Sequence, residues 1–300
     1  MWNSDALVLA FPDQQAPAAA LARRLELPFD VVYRHVFPDG ERLVRLPERL
    51  PPTVILVRSL DRPDHKLVEL LLAARTAREL GAERLILVAP YLCYMRQDAA
   101  FHPGEAVSQR IVGAFLADLV DALVTVDPHL HRVRRLEEAV PVDWGRVLHA
   151  TGPMAEFLAG RPERPLLVGP DAESAQWVKA LADVGGLEHA VAAKTRLGDH
   201  EVEIRLPDEV DFAGRPVVLV DDVASSGTTL ATVTRLLRER GAGPIDALVT
   251  HALFADGAEA RVHGAGVRHL WSTDSIPHPS NVIPLDGLLA PAVAEWLGRP

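Results

Sequence analysis

The sequence predicts two α/β domains, each with a parallel sheet flanked by helices. Three observations favour this fold class. Short apolar runs alternate with longer amphipathic segments along the 300 residues. Most of the runs are rich in Val, Ile and Leu on both faces, as in buried parallel strands. The chain is also too long for one ordinary domain of about 150 residues. We therefore place the domains at residues 1–150 and 151–300.

The predicted strands and helices follow one another in a regular order. Strands are expected at residues 6–10, 53–57, 84–89, 122–126, 165–169, 216–220, 245–250 and 267–271. Stretches with helical periodicity cover residues 67–80, 106–119, 172–184, 228–240 and 291–297. Two short strands, 190–193 and 201–205, enclose a polar turn. Alternation of strand and helix is typical of parallel sheets joined by crossover helices.

Two strand ends resemble each other. Residues 85–90 read Leu-Ile-Leu-Val-Ala-Pro, and residues 165–170 read Pro-Leu-Leu-Val-Gly-Pro. The similarity indicates two related halves that meet near residues 150–160, although two unrelated strand ends would look the same.

Composition and charge exclude several classes of protein. The formal net charge is −10, so no nucleic-acid binding is expected, and phosphate must be bound by local loops, a few basic residues and a metal. The single Cys93 excludes an intrachain disulfide and suits a reducing cytoplasm. Because neither a secretory signal nor an apolar run of roughly 18 residues is visible, we expect a cytoplasmic protein without membrane contact.

The strongest chemical signal follows the strand 216–220. It combines two carboxylates, small hydroxyl residues and a glycine: Asp221, Asp222, Ser225, Ser226, Gly227, Thr228 and Thr229. The unpaired amides at the start of the following helix suit a phosphate, and the hydroxyls add donors. Glycine lets the backbone approach closely. Paired carboxylates can hold sugar hydroxyls, which both donate and accept hydrogen bonds.

A helix cap is the simpler interpretation of this run, but it explains only one hydroxyl. It leaves unexplained the adjacent acids, whose repulsion costs on the order of 1–4 kcal/mol at contact distance. The run resembles the 5-phosphoribosyl-1-pyrophosphate (PRPP) signature of the type I phosphoribosyltransferase superfamily. The resemblance implies that Asp221 and Asp222 bind the ribose hydroxyls and that residues 225–229 surround the 5-phosphate.

Further segments resemble ribose-phosphate pyrophosphokinases. The first contains Phe37, Asp39 and Glu41. By itself, its Pro-Asp-Gly sequence is a common turn. The resemblance implies a hairpin that reaches a neighbouring subunit's active site, with Phe37 against adenine and the two acids accepting hydrogen bonds from the nucleotide.

The second segment contains Arg96, Gln97 and Asp98. It begins where a strand ends, which is the usual ligand side of an open α/β sheet, and arginine binds phosphate through two parallel hydrogen bonds. The resemblance implies ATP binding. Ala99 and Ala100 stand where the family usually has basic residues, so this chain lacks part of the family's contacts there.

The third and fourth segments contain His129 and Asp171. The resemblance implies that both line a Mg²⁺–triphosphate site, with Asp127 orienting the His129 ring as an outer-sphere acid. Glu173 and Ser174 replace residues that are glycines in many members of the family. A carboxylate beside a phosphate is repulsive unless it faces magnesium or solvent.

The polar turn after residue 193 carries two basic residues, Lys194 and Arg196. On spacing alone they would be exposed loop residues. The resemblance implies a mobile catalytic loop in which both stabilise the transition state over the triphosphate.

The resemblance covers roughly residues 6–298 and is closest to the archaeal-like branch. It implies two phosphoribosyltransferase-type, Rossmann-like domains that transfer the pyrophosphoryl group of ATP to the 1-hydroxyl of ribose 5-phosphate, with Mg²⁺ as cofactor. It also implies a homo-oligomer, a dimer or a hexamer, because the hairpin acts in a neighbouring subunit. We expect weak or no allosteric inhibition by ADP.

Three alternatives stay open. A type I phosphoribosyltransferase would explain residues 216–230 but would leave half of the chain without a role. A non-catalytic regulator with the synthetase fold would account for the departures at Ala99, Ala100, Glu173 and Ser174, but not for the retained basic residues. An enzyme of the same fold that works mainly in reverse, or on a related pentose phosphate, would need the same residues.

Overall fold

The chain forms two compact units. The computed structural model describes residues 4–130, 132–133, 135–196 and 202–299, with residues 194–196, 202 and 203 described by their backbone only. The first unit lies within Met1–His149 together with Leu285–Pro300, and the second is Ala150–Pro284. Among the described helices, none has the length and apolar character that crossing a membrane requires.

The first unit contains an α/β sheet and a separate hairpin. Its strands are β1 (Ala6–Ala10), β2 (Phe29–Val31), β3 (Tyr33–Val36), β4 (Arg42–Arg45), β5 (Thr53–Val57), β6 (Arg84–Ala89), β7 (Ala122–Val126) and β8 (Trp144–Leu148). Its helices are α1 (Gln15–Leu25), α2 (Pro63–Glu79), α3 (Ser108–Ala117), α4 (Leu136–Ala139) and, from the end of the chain, α9 (Asp286–Leu297). Within the described residues, the sheet has the order β2-β1-β5-β6-β7-β8 with all pairs parallel, whereas β3 and β4 pair antiparallel.

The second unit repeats this plan. Its strands are β9 (Leu166–Gly169), β10 (His189–Val191), β11 (Ala193–Arg196), β12 (Val202–Arg205), β13 (Val217–Ala224), β14 (Ile245–Ala252), β15 (Leu270–Thr273) and β16 (Asn281–Ile283). Its helices are α5 (Thr151–Ala159), α6 (Ala175–Gly185), α7 (Thr228–Glu239) and α8 (Ala258–Ala265). For the residues described, the parallel sheet has the order β10-β9-β13-β14-β15-β16, and β11 and β12 form the antiparallel hairpin.

The two units have the same topology, but the two similar strand ends of the sequence do not occupy equivalent positions in it. In each unit a hairpin is inserted between the second and third strands of the sheet in chain order. The similar sequences, however, lie on β6 and β9, which hold the fourth and second places in their sheets. Their similarity therefore reflects two buried parallel strands that both end at proline, and not equivalent positions.

The predicted parallel sheets are confirmed. Every residue of β1, β5 and β7 is buried, as expected for strands covered on both faces. One strand is longer than predicted: the apolar run ends at residue 220, but β13 continues to Ala224. Its pairing with β14 extends as far, joining Ala224 to Ala252. Backbone pairing with β14 thus extends β13 over Asp221 and Asp222, which lie beyond the apolar run.

The C-terminal helix corrects the predicted domain limits. Residues 151–300 were expected to form the second domain, but α9 belongs to the first unit, where it packs against α1, β7 and β8. The side chains of Leu289, Val293 and Trp296 are buried. The guanidinium of Arg84 lies 4.4 Å from the Trp296 ring centre and donates a hydrogen bond to its carbonyl. An apolar helix face packs where a sheet face is available, whatever its position in the chain.

Candidate active site

The second unit places acidic side chains at the point where the order of its strands reverses. From β9 the chain moves outward to β10, and it returns to β13 on the other side of β9. Open α/β sheets bind ligands at such a switch point, beyond the carboxyl ends of the strands. Asp171 follows β9, and Asp221 and Asp222 lie on the last part of β13. The structure thus brings these three predicted residues to one edge of the sheet.

Asp221 and Asp222 belong to the strand itself, whereas the sequence placed them after its end. Asp221 pairs with Val249 of β14 in the parallel register. The Asp222 amide donates to Asp221 Oδ1 at 3.0 Å, and the amide of Val223 donates to Asp222 Oδ1 at 2.8 Å. Asp222 is buried, with 8% of its surface exposed, and Asp221 is half-buried. Sheet pairing and amide hydrogen bonds therefore hold both carboxylates in place.

The electrostatics of this pair are unfavourable for two negative charges. Burial raises the pKa of Asp221 well above its ordinary value, and the nearby carboxylates of Asp222 and Asp171 raise the pKa further. Such a group keeps its proton more readily than a free carboxyl, until a cation or hydrogen-bond donor arrives. Perturbed carboxyls of this kind in a cleft are typical of functional sites.

The loop after β13 leads directly into α7. The cap position is Gly227, with a φ of +70°, a conformation that glycine adopts without strain. Ser226 Oγ accepts from the Thr228 amide at 3.4 Å, but Ser226 precedes the cap residue, and the cap itself makes no side-chain hydrogen bond. The Ser225 carbonyl accepts from Ala255 N at 3.0 Å. Ser226 and Thr228 are exposed, and they stand beside the first-turn amides that a helix leaves without internal partners.

Asp171 is held in a tight turn before α6. Its Oδ1 accepts hydrogen bonds from the amides of Glu173 at 3.1 Å and Ser174 at 3.3 Å. Ser174 is buried, and its hydroxyl donates to the Asp171 carbonyl at 2.6 Å. Glu173 is exposed. The departures from the family's glycines thus have different consequences, since Ser174 builds the turn and Glu173 faces solvent, where its charge is screened.

The predicted catalytic loop, residues 194–200, falls on the β11–β12 hairpin, but its first residues belong to a strand and not to the turn. Lys194 and Arg196 lie on β11, paired with Ile204 and Val202 of β12. The rest of the predicted turn, residues 197–200, lies outside the described residues. At its base, β12 contacts α7, and Ile204 packs against the core of the second unit. The hairpin that carries Lys194 and Arg196 is therefore anchored beside α7, the helix that follows β13.

In the first unit, Phe37, Asp39 and Glu41 form the tip of the β3–β4 hairpin. The Phe37 amide donates to the Glu41 carbonyl at 2.9 Å, and the Glu41 amide donates to Asp39 Oδ1 at 3.1 Å. Gly40 closes the turn with a φ of +94°. All three side chains are exposed, and the Phe37 ring meets the edge of His35 at 4.9 Å between ring centres. The hairpin thus presents an aromatic face and two carboxylates to its surroundings.

The segment after β6 divides into an exposed and an anchored part. Arg96 is exposed. The Gln97 side-chain carbonyl accepts from Ser108 Oγ at 2.6 Å. Asp98 accepts from the Arg132 guanidinium at 2.8 Å, and only 3% of its side chain is exposed. Asp98 was predicted to contact ATP, whereas here its carboxylate joins two loops. Arg132 was not singled out in the sequence, because nothing local marks it as a partner of a residue 34 positions away.

Asp127 is paired with a histidine that the sequence analysis missed. Its side chain is buried, its φ is +38°, and its Oδ1 lies 2.8 Å from Nδ1 of His149. The hydrogen bond to Asp127 raises the pKa of His149. The predicted neighbour His129 follows Asp127 by two positions and is half-buried. His149 follows β8 as Asp127 follows β7, and these strands pair through Val126 and Leu148.

The residues fit Mg²⁺ as a substrate-bound ion. In the described part of the chain, no three His, Cys, Asp or Glu side chains are grouped to hold a metal. Mg²⁺ is commonly held by one or two carboxylates together with substrate phosphates and water, and needs no closed protein cage. The mutually repelling carboxylates of Asp171, Asp221 and Asp222 are the kind of oxygen-donor set that a divalent cation neutralises.

Comparisons with known proteins agree with both units. The family model described as the N-terminal domain of ribose phosphate pyrophosphokinase matches residues 7–119, and the phosphoribosyl transferase domain matches residues 149–281. The crystal structure of phosphoribosylpyrophosphate synthetase from Mycobacterium smegmatis superimposes with a TM-score of 0.82, covering 98% of this chain and 99% of that one at 23% identity. This likeness confirms the predicted phosphoribosyltransferase-type fold.

Relatives in sequence extend over nearly the whole chain. A ribose-phosphate pyrophosphokinase from Methanopyrus kandleri is 37% identical over 96% of this chain and 97% of its own length. Another, from Sulfurisphaera tokodaii, is 32% identical over 92% of this chain and 94% of its own length. Both are archaeal, in agreement with the predicted branch. The chain belongs to the ribose-phosphate pyrophosphokinase family.

Proposed function

We propose that this chain transfers the β,γ-pyrophosphoryl group of ATP to the 1-hydroxyl of ribose 5-phosphate, giving PRPP and AMP. The observation that carries the proposal is the switch point of the second sheet. There the carboxylates of β13 stand directly before the glycine-capped N-terminus of α7, with Asp171 on the neighbouring strand end. This arrangement offers carboxylates to a sugar and amides to its phosphate.

The loop binds the ribose 5-phosphate at its phosphate end. The α7 amides and the exposed hydroxyls of Ser226 and Thr228 donate to the phosphate oxygens, joined by the partly exposed hydroxyls of Ser225 and Thr229. Gly227 adopts the left-handed backbone conformation that turns the loop into the helix, and the absence of a Cβ lets the loop pack closely against α8.

The acidic strand holds the sugar ring. Ribose hydroxyls both donate and accept hydrogen bonds. The two adjacent carboxyls differ in burial, and their oxygens accept hydrogen bonds from the ribose hydroxyls. With the sugar fixed in this way, its 1-hydroxyl is directed at the β-phosphorus of ATP.

The first unit supplies the nucleotide contacts. Phe37 stacks on adenine, and Asp39 and Glu41 accept hydrogen bonds from the nucleotide. Arg96, which is exposed, binds phosphate oxygens, and Gln97 binds a nucleotide edge. Asp98 acts indirectly, because its hydrogen bonds to Arg132 hold the segment in the conformation that presents Arg96.

The displacement step conserves all atoms. The 1-hydroxyl oxygen bonds to the β-phosphorus, the bond from that phosphorus to the α-phosphate oxygen breaks, AMP leaves, and the hydroxyl proton is released. Lys194 and Arg196 stabilise the negative charge of the transferring group, since phosphoryl transfer is catalysed mainly by positioning and electrostatics. In the second unit Asp171 would hold Mg²⁺, which would supply charge neutralisation at the triphosphate oxygens when bound. In the first unit His129 would bind the metal or the phosphate.

The hairpin tip is part of a neighbouring subunit's site in this proposal, so the enzyme is a homo-oligomer, a dimer or a hexamer, and it works in the cytoplasm. The hairpin exposes four large apolar side chains, Tyr33, Val36, Phe37 and Leu43, and grouped exposure of this kind supports an intermolecular contact.

The direct test mixes the purified protein with ATP, MgCl₂ and ribose 5-phosphate and follows AMP and PRPP by chromatography. We expect both products in equal amounts, and none after addition of a chelator. AMP without PRPP would indicate a different pentose acceptor. Binding of ribose 5-phosphate without any product would refute catalysis and favour a regulator of the same fold.

A further inference from the structure

The first unit has a switch point of its own, between β1 and β5. Charged side chains that pair with one another lie at this point. Asp13 follows β1 and Arg58 follows β5. The Arg58 side chain is fully buried, with its guanidinium carbon 3.9 Å from the centre of the Phe11 ring. Its Nη2 donates to the carboxylate of Glu69, a residue of α2 whose side chain is also fully buried.

More charges complete this buried ion cluster. Lys66 Nζ lies 2.6 Å from Asp61 Oδ1 and 2.9 Å from Asp13 Oδ2. We define the cluster by its members: Asp13, Arg58, Asp61, Lys66 and Glu69. At the corresponding place in the second unit, the carboxylates of Asp222 and Asp171 raise the pKa of Asp221, whereas here opposite charges are paired. The first switch point is thus occupied by an internal network.

The network also contacts the β3–β4 hairpin. Arg34 of β3 and Arg42 of β4 lie on the same face of the hairpin, since Arg34 pairs with Val44 and Arg42 with Val36. Their Nη1 atoms lie 3.5 Å and 3.4 Å from the two oxygens of Glu69. On this face Val44 packs against the core of the unit.

The other face of the hairpin is open. Tyr33 and Leu43 are exposed by 49% and 38% of their surface. The buried carboxylate of Glu69 therefore contacts one arginine on each strand of the hairpin. The same carboxylate also accepts a hydrogen bond from Arg58.

We propose that Glu69 is a positioning residue for nucleotide binding, which holds the β3–β4 hairpin so that Phe37, Asp39 and Glu41 keep their binding geometry. This inference rests on the proposed role of those three residues. Glu69 does not contact the nucleotide, and it acts through Arg34 and Arg42.

The charge balance explains why this one residue matters. Without the Glu69 charge, the guanidiniums of Arg34, Arg42 and Arg58 would face one another, and like charges in a buried site repel strongly. Asp13 would be the remaining acid close to them, at 4.0 Å from Arg34 and 3.8 Å from Arg58, and it also pairs with Lys66. The hairpin would leave its anchored position, while the catalytic groups of the second unit would stay as they are.

Two measurements on the full-length protein test this inference. Hydrogen–deuterium exchange of peptides spanning residues 33–45, without substrates, reports on the anchoring of the hairpin. Steady-state kinetics separate KM for ATP from kcat. We would compare Glu69→Gln, Arg42→Gln and Arg42→Lys with a matched control, Arg45→Gln. The control removes a positive charge from the same strand but from the opposite face, where Arg45 lies over the Tyr33 ring at 4.5 Å.

The expected results form a pattern that a general loss of stability would not produce. Glu69→Gln and Arg42→Gln should each speed exchange in 33–45 and raise KM for ATP by on the order of tenfold, with kcat at saturating ATP kept. Arg42→Lys should restore most of the affinity, and Arg45→Gln should change neither quantity. The double variant Glu69→Gln/Arg42→Gln should be little worse than Glu69→Gln alone, because the ion pair between Arg42 and Glu69 is already lost in that variant.

Unchanged exchange in both Gln variants would overturn the anchoring. Faster exchange with an unchanged KM for ATP would overturn the link to nucleotide binding. If Glu69→Gln does not fold, Arg42→Gln decides alone, because 23% of its side chain is exposed and its loss leaves Glu69 paired with Arg58. A wild-type protein that forms no AMP would refute the proposed function and the ATP part of this inference, whereas the exchange data would still decide whether Glu69 anchors the hairpin.

Discussion

Replacement of Gly227 by alanine should damage the phosphate loop by an amount that the structure defines. Gly227 caps α7 with a φ of +70°, and a Cβ at this position would lie 2.8 Å from Val262 Cγ2 and 2.9 Å from the Ala258 carbonyl oxygen. The left-handed conformation costs alanine roughly 1–2 kcal/mol. Overpacking adds about 1–3 kcal/mol, because the Ala258 carbonyl belongs to a helix backbone that must shift. We expect a loss of about 2–5 kcal/mol in the free energy of unfolding.

Gly257 provides a matched control. It caps α8 with a φ of +75°, almost the same conformation, but no atom lies within 4 Å of its hypothetical Cβ. Gly257→Ala should therefore cost only the conformational term, roughly 1–2 kcal/mol. The difference between the two variants isolates the steric contribution at Gly227.

Native-state hydrogen exchange of peptides from α7 and β14 measures the stability of the second unit separately from that of the first. Kinetics with ribose 5-phosphate give a second readout, in which only Gly227→Ala should raise KM. Equal destabilisation by both substitutions would refute the steric argument. An unchanged KM for ribose 5-phosphate in a folded Gly227→Ala protein would refute the placement of the phosphate at this loop.

Three further predictions concern single charged groups. Lys194→Ala should lower kcat by about 10²- to 10³-fold with little change in ATP affinity; an unaltered kcat would refute its role. Asp221→Asn should abolish product formation yet raise the free energy of unfolding of the ligand-free protein at pH 7, measured by urea titration. The sign follows from the raised folded-state pKa of Asp221. Its contribution to the free energy of unfolding is most favourable below the ordinary carboxyl pKa and is lost as pH rises through the folded-state pKa. The extra stability of the variant should therefore shrink as pH falls toward about 4. Asp127→Asn should lower the pKa of His149 in an NMR titration, because their hydrogen bond raises it; stabilisation by this pair is full below the ordinary histidine pKa and is lost as pH rises through the raised one.

Much of the fold could be predicted from local patterns. The central strands β1, β5, β6 and β7 are continuous apolar runs because both faces of a parallel sheet are covered. The short strands β2 and β16 were not predicted. Each lies at the edge of its sheet and is partly exposed, so neither has a continuous apolar pattern.

The sequence by itself determined which chemical groups the protein offers. An acid pair followed by hydroxyl residues and a glycine indicated a sugar-phosphate site from composition and order alone, since a phosphate loop is built from consecutive residues. Only the tertiary structure decided which distant residues meet. His149 lies beside Asp127 because β7 and β8 are neighbours in a particular register. Glu69 meets Arg34 and Arg42 because the hairpin folds over α2. Such partners depend on strand order and helix packing over long separations in sequence, and no local pattern of hydrophobicity or charge specifies them.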